Sequence, residues 1–307
     1  MVYNFCASIL RASGDSMRPM IYMTVAGVIK IVASYLFIAV FHMGVMGVAF
    51  ATILSWTVAA ALCFVVLIRS KGMVRICINK IRFHRIESRQ ILHIGIPAGM
   101  QQALYSIANV MITATVNSFG PEATTGISIA NNFDAVQYQI SVATSLAVMP
   151  FVSQNIGSGN VKRAMQAVWK GILITVCLGA TFGGLSALFS TQLSSIMSSD
   201  PVVIAYSRQK MIIISSTYYI SGINEIFGAA LRGMGKPFPA TIATLVYMCL
   251  FRFVWVYFIF PLMPSNLTFL YLVWPVGWCL SIITLLFVFF PTAKKLSRSA
   301  AVAAINT

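Results

Sequence analysis

The sequence predicts an all-α membrane protein, a polytopic helix bundle assembled from parallel repeats. Three observations carry this. The 307 residues are 59% hydrophobic and only 9% charged, with a mean hydropathy of +0.86, whereas a soluble domain is nearer 45–50% apolar and about 25% charged. Eight apolar stretches are long enough to cross the hydrocarbon layer, which takes about 20 residues of helix. A phrase near the start, ILRASGDSMRPM at 9–20, returns near the end as ALRGMGKPFPA at 230–240.

The opening MVYNFCASILRASGD has too few residues before Arg11 for a span and lacks the basic n-region of a signal peptide, so it reads as the tail of a helix. Spans are expected at 20–41, 45–68, 92–118, 124–153, 164–190, 203–230, 239–262 and 267–290. Helix is required because lipid offers backbone groups no partners. Gly and Pro punctuate the ends, at Pro19, Gly44, Gly120-Pro121, Gly157, Pro201, Gly235 and Pro291 among others. The polar stretch 69–90 separates 1–68 from 91–291 and is the expected linker, with an amphipathic surface helix as one form it can take; 292–307 is the expected tail.

The chain carries 21 Lys and Arg against 6 Asp and Glu, a net charge of +15. Nucleic acid is not the expected partner, because basic residues collect in the cytoplasmic loops of membrane proteins. With residues 1–19 inside, 17 of the 21 fall on the inner side, seven of them between Arg69 and Arg89. Both termini are then cytoplasmic, and a plasma (inner) membrane is the expected location. Arg208 and Lys210 are expected near the outer side, and Lys30 and Arg252 within spans. The six cysteines form no CxxC or His/Cys cluster, so neither a metal nor a disulfide framework is indicated. His42, His84 and His93 stand alone as interfacial or loop residues.

The repeat extends beyond the phrase. Lys30-x-Val32-x-x-Tyr35 matches Arg252-x-Val254-x-x-Tyr257 at an offset of 222, as Trp56 matches Trp278. Both phrases lie on the inner side, so the copies share one topology, a known way to build a transporter. Used as a ruler, the repeat implies that roughly 130 further residues, enough for four spans, belong ahead of the first copy. The chain then holds the end of one lobe and the whole of another.

GIPAGMQQALYSIANVMITATVNSFG, SQNIGSGNVKRA and NEIFGAALRGMGKPFPATI resemble the second lobe of the MATE (multidrug and toxic compound extrusion) transporters, and LRASGDSMRP resembles the junction of helices four and five in the first. The resemblance covers about 3–290. It implies two six-helix lobes, of which this chain holds the tail of helix four and helices five to twelve. It implies export of organic, often cationic, compounds against H⁺ or Na⁺ flow, with no cofactor beyond the coupling ion and no enzymatic activity.

Polar residues inside the spans mark the expected path. Gln102, Ser106, Asn109, Thr113 and Asn117 recur at steps of 3 and 4 on one helix face, and a polar stripe in lipid faces the bundle interior or a water-filled path. Asn131, Asp134, Tyr138, Ser141 and Ser145 repeat the pattern, with Asp134 about 15 Å deep at 1.5 Å per residue. NNFD through Tyr138 resembles a family pattern that supports Asn132, Asp134 and Tyr138 as cavity residues. Tyr218, Ser221 and Glu225 share a face, and Glu225 resembles an acidic position of the family's helix ten, which makes Glu225 and Asp134 the ion-coupling candidates. Arg252, roughly 20 Å from the inner face, is the expected static partner of Asp134, and Lys30 is its repeat mate. Tyr105 stands where some Na⁺-type relatives have a glutamate, which argues against a sodium site of that kind.

Two rival readings remain at this level. One is a lipid-linked-oligosaccharide flippase of the same superfamily, which needs a cation-dominated cavity. The other is a non-transporting fragment or a membrane partner of another subunit. The partners expected in the leading reading are small organic substrates, membrane lipid and the missing N-terminal helices or another membrane subunit.

Overall fold

Helix is the only regular structure among the described residues of the computed structural model, as burial in hydrocarbon demands of an open chain. The structure describes residues 1–70, 75–76, 84–262 and 266–305, without the side chains of Gln90, His93, Ile94, Pro97, Ala98, Gln101, Gln102 and 299–305. The chain divides into two compact units, Met1–Arg85 and Ile86–Thr307. The division falls within the expected 69–90 linker. The surface helix considered there rests largely on 71–74 and 77–83, which lie outside the described residues.

The first unit holds α1 (Val2–Ala12), α2 (Met17–Tyr35), which continues through a π turn at Leu36–Val40, and α3 (Gly44–Arg69). Tyr3, Cys6, Ala7 and Leu10 share a face of α1 and pack on Ala26 of α2 and on Ala59, Cys63 and Leu67 of α3. Buried α3 residues recur every fourth position, at Gly47, Ala51, Ser55, Ala59, Cys63 and Leu67. Five of the six are small or carry one heavy atom beyond Cβ, which lets helix backbones approach closely in lipid. Tyr3 donates to the Pro19 carbonyl at 2.9 Å and meets Trp56 edge-on at 5.8 Å.

The second unit holds α4 (Arg85–Asn117), α5 (Pro121–Gly157), α6 (Val161–Leu188), α7 (Ser190–Ser195), α8 (Pro201–Gly233), α9 (Pro237–Leu245), α10 (Phe251–Val254), α11 (Leu267–Tyr271) and α12 (Val273–Ile305). π turns at Val246–Leu250 and Trp255–Ile259 flank α10, so that 237–262 is one interrupted span. Asp200 accepts from the Val202 amide and Asn160 from the Arg163 amide, capping α8 and α6. α12 passes Pro291 into the expected tail 292–307 and runs to Ile305.

Six of the eight expected spans are long and apolar enough to cross a membrane, and the protein is a multi-pass integral membrane protein. The other two are α4 and α8, each 33 residues. α8 has the length but not the apolarity, since it carries Arg208, Lys210, Glu225 and Arg232, whereas the described apolar part of α4 is the shorter Ala103–Asn117.

α5 and α8 run in the same direction. A Cβ on Gly126 would meet Val203 and Tyr206, one on Gly222 would meet Ser141, and one on Gly233 would meet Met149 and Val152. α6 presses equally close to α8, since a Cβ on Gly183 would lie 2.1 Å from the Ser215 carbonyl oxygen. One buried cluster joins the C-terminal halves of α5 and α8 to α9 and α12 through Val148, Val152, Ile226, Phe227, Leu285 and Phe289. A second joins the other end of α4 and α8 to α10–α12 through Ile112, Val116, Ile214, Trp255, Tyr271 and Trp278.

The repeated phrase has a structural counterpart. After α1, the amides of Ser13, Gly14 and Asp15 donate to the carbonyls of Ile9, Arg11 and Leu10; after α8, those of Met234, Gly235 and Lys236 donate to Ala230, Arg232 and Leu231. The bonds correspond at an offset of 221. Gly14 and Gly235 have φ of 92° and 74°, a left-handed conformation that only glycine adopts without cost. The phrase is the sequence of a helix-stopping turn made twice.

Candidate functional site

The second unit encloses a cavity of about 500 Å³ between α4, α5, α8, α9 and α12. α4 contributes Tyr105, Asn109, Ile112, Thr113 and Val116, a face at steps of 3 and 4. α5 contributes Asn131, Asp134 and Tyr138, and α8 contributes Lys210, Ile214, Tyr218, Ser221 and Glu225. Tyr271, Trp274 and Trp278 close the wall from α11 and α12. Tyr218 packs on Trp278 at 5.2 Å between ring centroids.

An ion pair stands in this wall. Lys210 Nζ lies 2.8 Å from Asp134 Oδ2, with side chains only 4% and 15% exposed. The same ammonium donates to Asn131 Oδ1 and sits 5.9 Å from the Trp274 ring centroid. Asp134 Oδ1 is buried and has no hydrogen-bond partner. This corrects one expectation, since Asp134 does not pair with Arg252, and it gives Lys210, expected only as a cation near the outer side, a buried place in the pair nine residues into α8.

The expectation for Arg252 rests on depth along the span alone, which does not fix the direction of a side chain; one π turn, Val246–Leu250, also lies between the inner end of the span and Arg252. Its guanidinium, 1% exposed, donates to Asn109 Oδ1 at 2.7 Å and stacks over Tyr105 at 4.9 Å and Trp274 at 5.4 Å. It stands behind the wall of the cavity instead of lining it. Lys30 belongs to the first unit, exposed on α2, with no ion pair among the described residues.

The second acid is set apart from the first. Gly222 abuts Ser141, so in the parallel register of α5 and α8 Glu225 lies about ten residues, or ~15 Å, along the axis from Asp134. Its ion-pair partner is Arg232, with Arg232 Nη2 4.0 Å from Glu225 Oε2 on the same helix and both side chains partly exposed. The two carboxylates therefore differ: one is held by a close buried ammonium, the other by a long, half-open contact.

The other expected residues divide. Asn109, Thr113, Tyr138 and Tyr218 line the cavity. Ser106 is exposed and outside it, and the side chain of Gln102 lies outside the described residues. Asn117 accepts from Thr124 at 3.0 Å, joining α4 to α5. Asn132 is exposed and donates to the Ser128 carbonyl in its own helix, while its neighbour Asn131 takes the cavity position. Ser141 and Ser145 are buried and bond carbonyls of their own helix. Sequence reasoning missed Lys210 and the aromatic wall of Tyr271, Trp274 and Trp278. A usable signal existed for Lys210: counted from the starts of α5 and α8, Asp134 and Lys210 differ by about 6 Å of depth, within reach of a lysine stem.

Residues 97–258 match the family model described as MatE. Among proteins of similar sequence, the probable multidrug resistance protein YpnP of Bacillus subtilis is 30% identical over 251 residues, covering 82% of this chain and 56% of YpnP. The FAD transporter of Shewanella oneidensis is 28% identical over 247 residues, covering 78% of this chain and 54% of that protein. The chain spans about half the length of the curated relatives it matches. The crystal structure of MATE in complex with MaL6 superimposes with a TM-score of 0.83 over 97% of this chain and 66% of that one, at 19% identity, a likeness of fold.

Proposed function

The chain belongs to the MatE family, and on that footing we propose that it serves secondary active efflux of small organic, often cationic, compounds, driven by inward H⁺ or Na⁺ flow. The observation that carries this reading is the aromatic cavity with a carboxylate at each of two levels, Asp134 and Glu225. An intramembrane acid is costly and marks a substrate or ion path, and aromatic faces receive both apolar bodies and cations. The relatives carry names of two kinds, multidrug resistance and FAD transport; two acids in an aromatic wall favour the first.

Roles are assigned by the partners of each acid. Glu225, with its distant partner Arg232, is the ion-coupling residue. Asp134 holds the charged end of the substrate. Asn109, Thr113, Tyr138 and Tyr218 shape the path, and Arg252 fixes Tyr105, Asn109 and Trp274 in place. In alternating access, ion binding at Glu225 favours the state that releases substrate outside, and loss of the ion inside resets the protein. No organic cofactor takes part. The excess of Lys and Arg in the inner loops orients both termini to the cytoplasm of a plasma membrane.

Accumulation of ethidium in cells lacking their own exporters tests this. Cells producing the chain should hold less dye than controls, and Glu225→Gln and Asp134→Asn should each restore accumulation. Export by neither parent nor variants removes the efflux reading; export by Glu225→Gln at the parental rate removes the coupling assignment, and export by Asp134→Asn at that rate removes the substrate-holding one.

A further inference from the structure

Lys210 occupies a set of groups that would bind any monovalent cation. A carboxylate oxygen of Asp134 lies 2.8 Å from its ammonium. The amide oxygen of Asn131 accepts from it, and the Trp274 ring lies under it at 5.9 Å. Charge, dipole and quadrupole all point at one spot. We propose that Lys210 is a tethered competitor: it fills a cation site in the cavity wall, and an organic cation binds by displacing it from Asp134. This rests on the cavity being the ligand site proposed above, and adds how the site stays neutral when empty and which ligand class opens it.

Three features separate this from a static ion pair. The ammonium leaves the carboxylate half used, because Asp134 Oδ1 is buried without a partner. A second cation is available to compare: Arg252, 1% exposed, is bonded to Asn109 and lies over the Tyr105 and Trp274 rings without lining the cavity, whereas Lys210, itself 3% exposed, lines it. Lysine is also a compact charge on a flexible four-carbon stem, able to swing aside while its α-carbon stays fixed in α8. The space beside the pair, about 500 Å³, suits an organic molecule and not a bare ion. The ligand class is therefore one positive charge on a flat or aromatic body, its charge at Asp134 and its body against Trp274, the half-buried member of the aromatic wall.

Binding of tetraphenylphosphonium to the full chain in nanodiscs tests the proposal, because this probe has charge and aromatic surface but no hydrogen-bond donors. Lys210→Met removes the competitor and should tighten binding about tenfold. Lys210→Met combined with Asp134→Asn should lose that gain. Lys210→Gln, which keeps polar donors, serves if Lys210→Met does not give a monodisperse protein, and should shift affinity in the same direction. Equal or weaker binding by the Lys210 variants overturns the proposal, as does a double variant that binds as tightly as Lys210→Met. The dye accumulation assay on the parent reports on efflux separately. A parent that does not export, with tighter binding by Lys210→Met, sinks the efflux reading alone; an exporting parent without the gain sinks the tethered competitor alone.

Discussion

Removing both members of the Lys210–Asp134 pair should cost well below the sum of the two single removals. At 2.8 Å the Coulomb attraction is about 6 kcal/mol at an effective dielectric of ~20. Little solvent screening applies, since the side chains are 4% and 15% exposed. The full amount is not recovered in a variant, because Asn131 and Trp274 still serve the ammonium and an Asn at 134 still offers a carbonyl. A coupling energy of about 3 kcal/mol is expected. Asp134→Asn leaves a buried ammonium short of its counter-charge; Lys210→Met leaves a carboxylate with neither oxygen paired. Each single change should destabilise by about 3–5 kcal/mol, and the double should cost well below their sum. The assay is reversible unfolding in mixed detergent, with the four proteins run as a double-mutant cycle. A coupling below about 0.5 kcal/mol would refute the reasoning, because it would mean that the two charges do not meet in the folded protein.

Two more outcomes rest on backbone geometry. Gly183→Ala places a methyl 2.1 Å from the Ser215 carbonyl, whereas a methyl on Gly184 meets nothing within 4 Å; the first should lose about 1–3 kcal/mol in the same unfolding assay, the second almost nothing. Gly14→Ala and Gly235→Ala each force a side chain into the left-handed region at φ of 92° and 74°. Each should cost about 1 kcal/mol, and a loss at only one of them would break the equivalence of the two turns.

Much of the helix layout was legible because hydrophobic length and Gly/Pro punctuation act locally. The expected 45–68 is Gly44–Arg69, and 164–190 is Val161–Leu188. The repeated phrase was legible for the same reason, since a helix-stopping glycine writes itself into the sequence wherever the turn is made. The site was less so. Spacing placed Asp134, Tyr138, Asn109, Tyr218 and Glu225 in one cavity, because polar groups in lipid turn inward. It could not choose the partner of Asp134. That choice depends on the parallel register of α5 and α8, which close glycine contacts set. α4 turns slightly from its polar stripe, so that Tyr105 and Ile112 face the cavity while Ser106 does not.

The most direct test of the account is ion-driven movement of a cation by the chain itself. Proteoliposomes containing the full chain, loaded with ethidium or tetraphenylphosphonium, would be given an H⁺ gradient in one series and a Na⁺ gradient in another. The account predicts that one of the two gradients moves the cation against its own concentration difference, and that Glu225→Gln abolishes the movement while the folded protein still binds the cation. No gradient-driven movement by folded parent protein, or movement that survives Glu225→Gln, would contradict it.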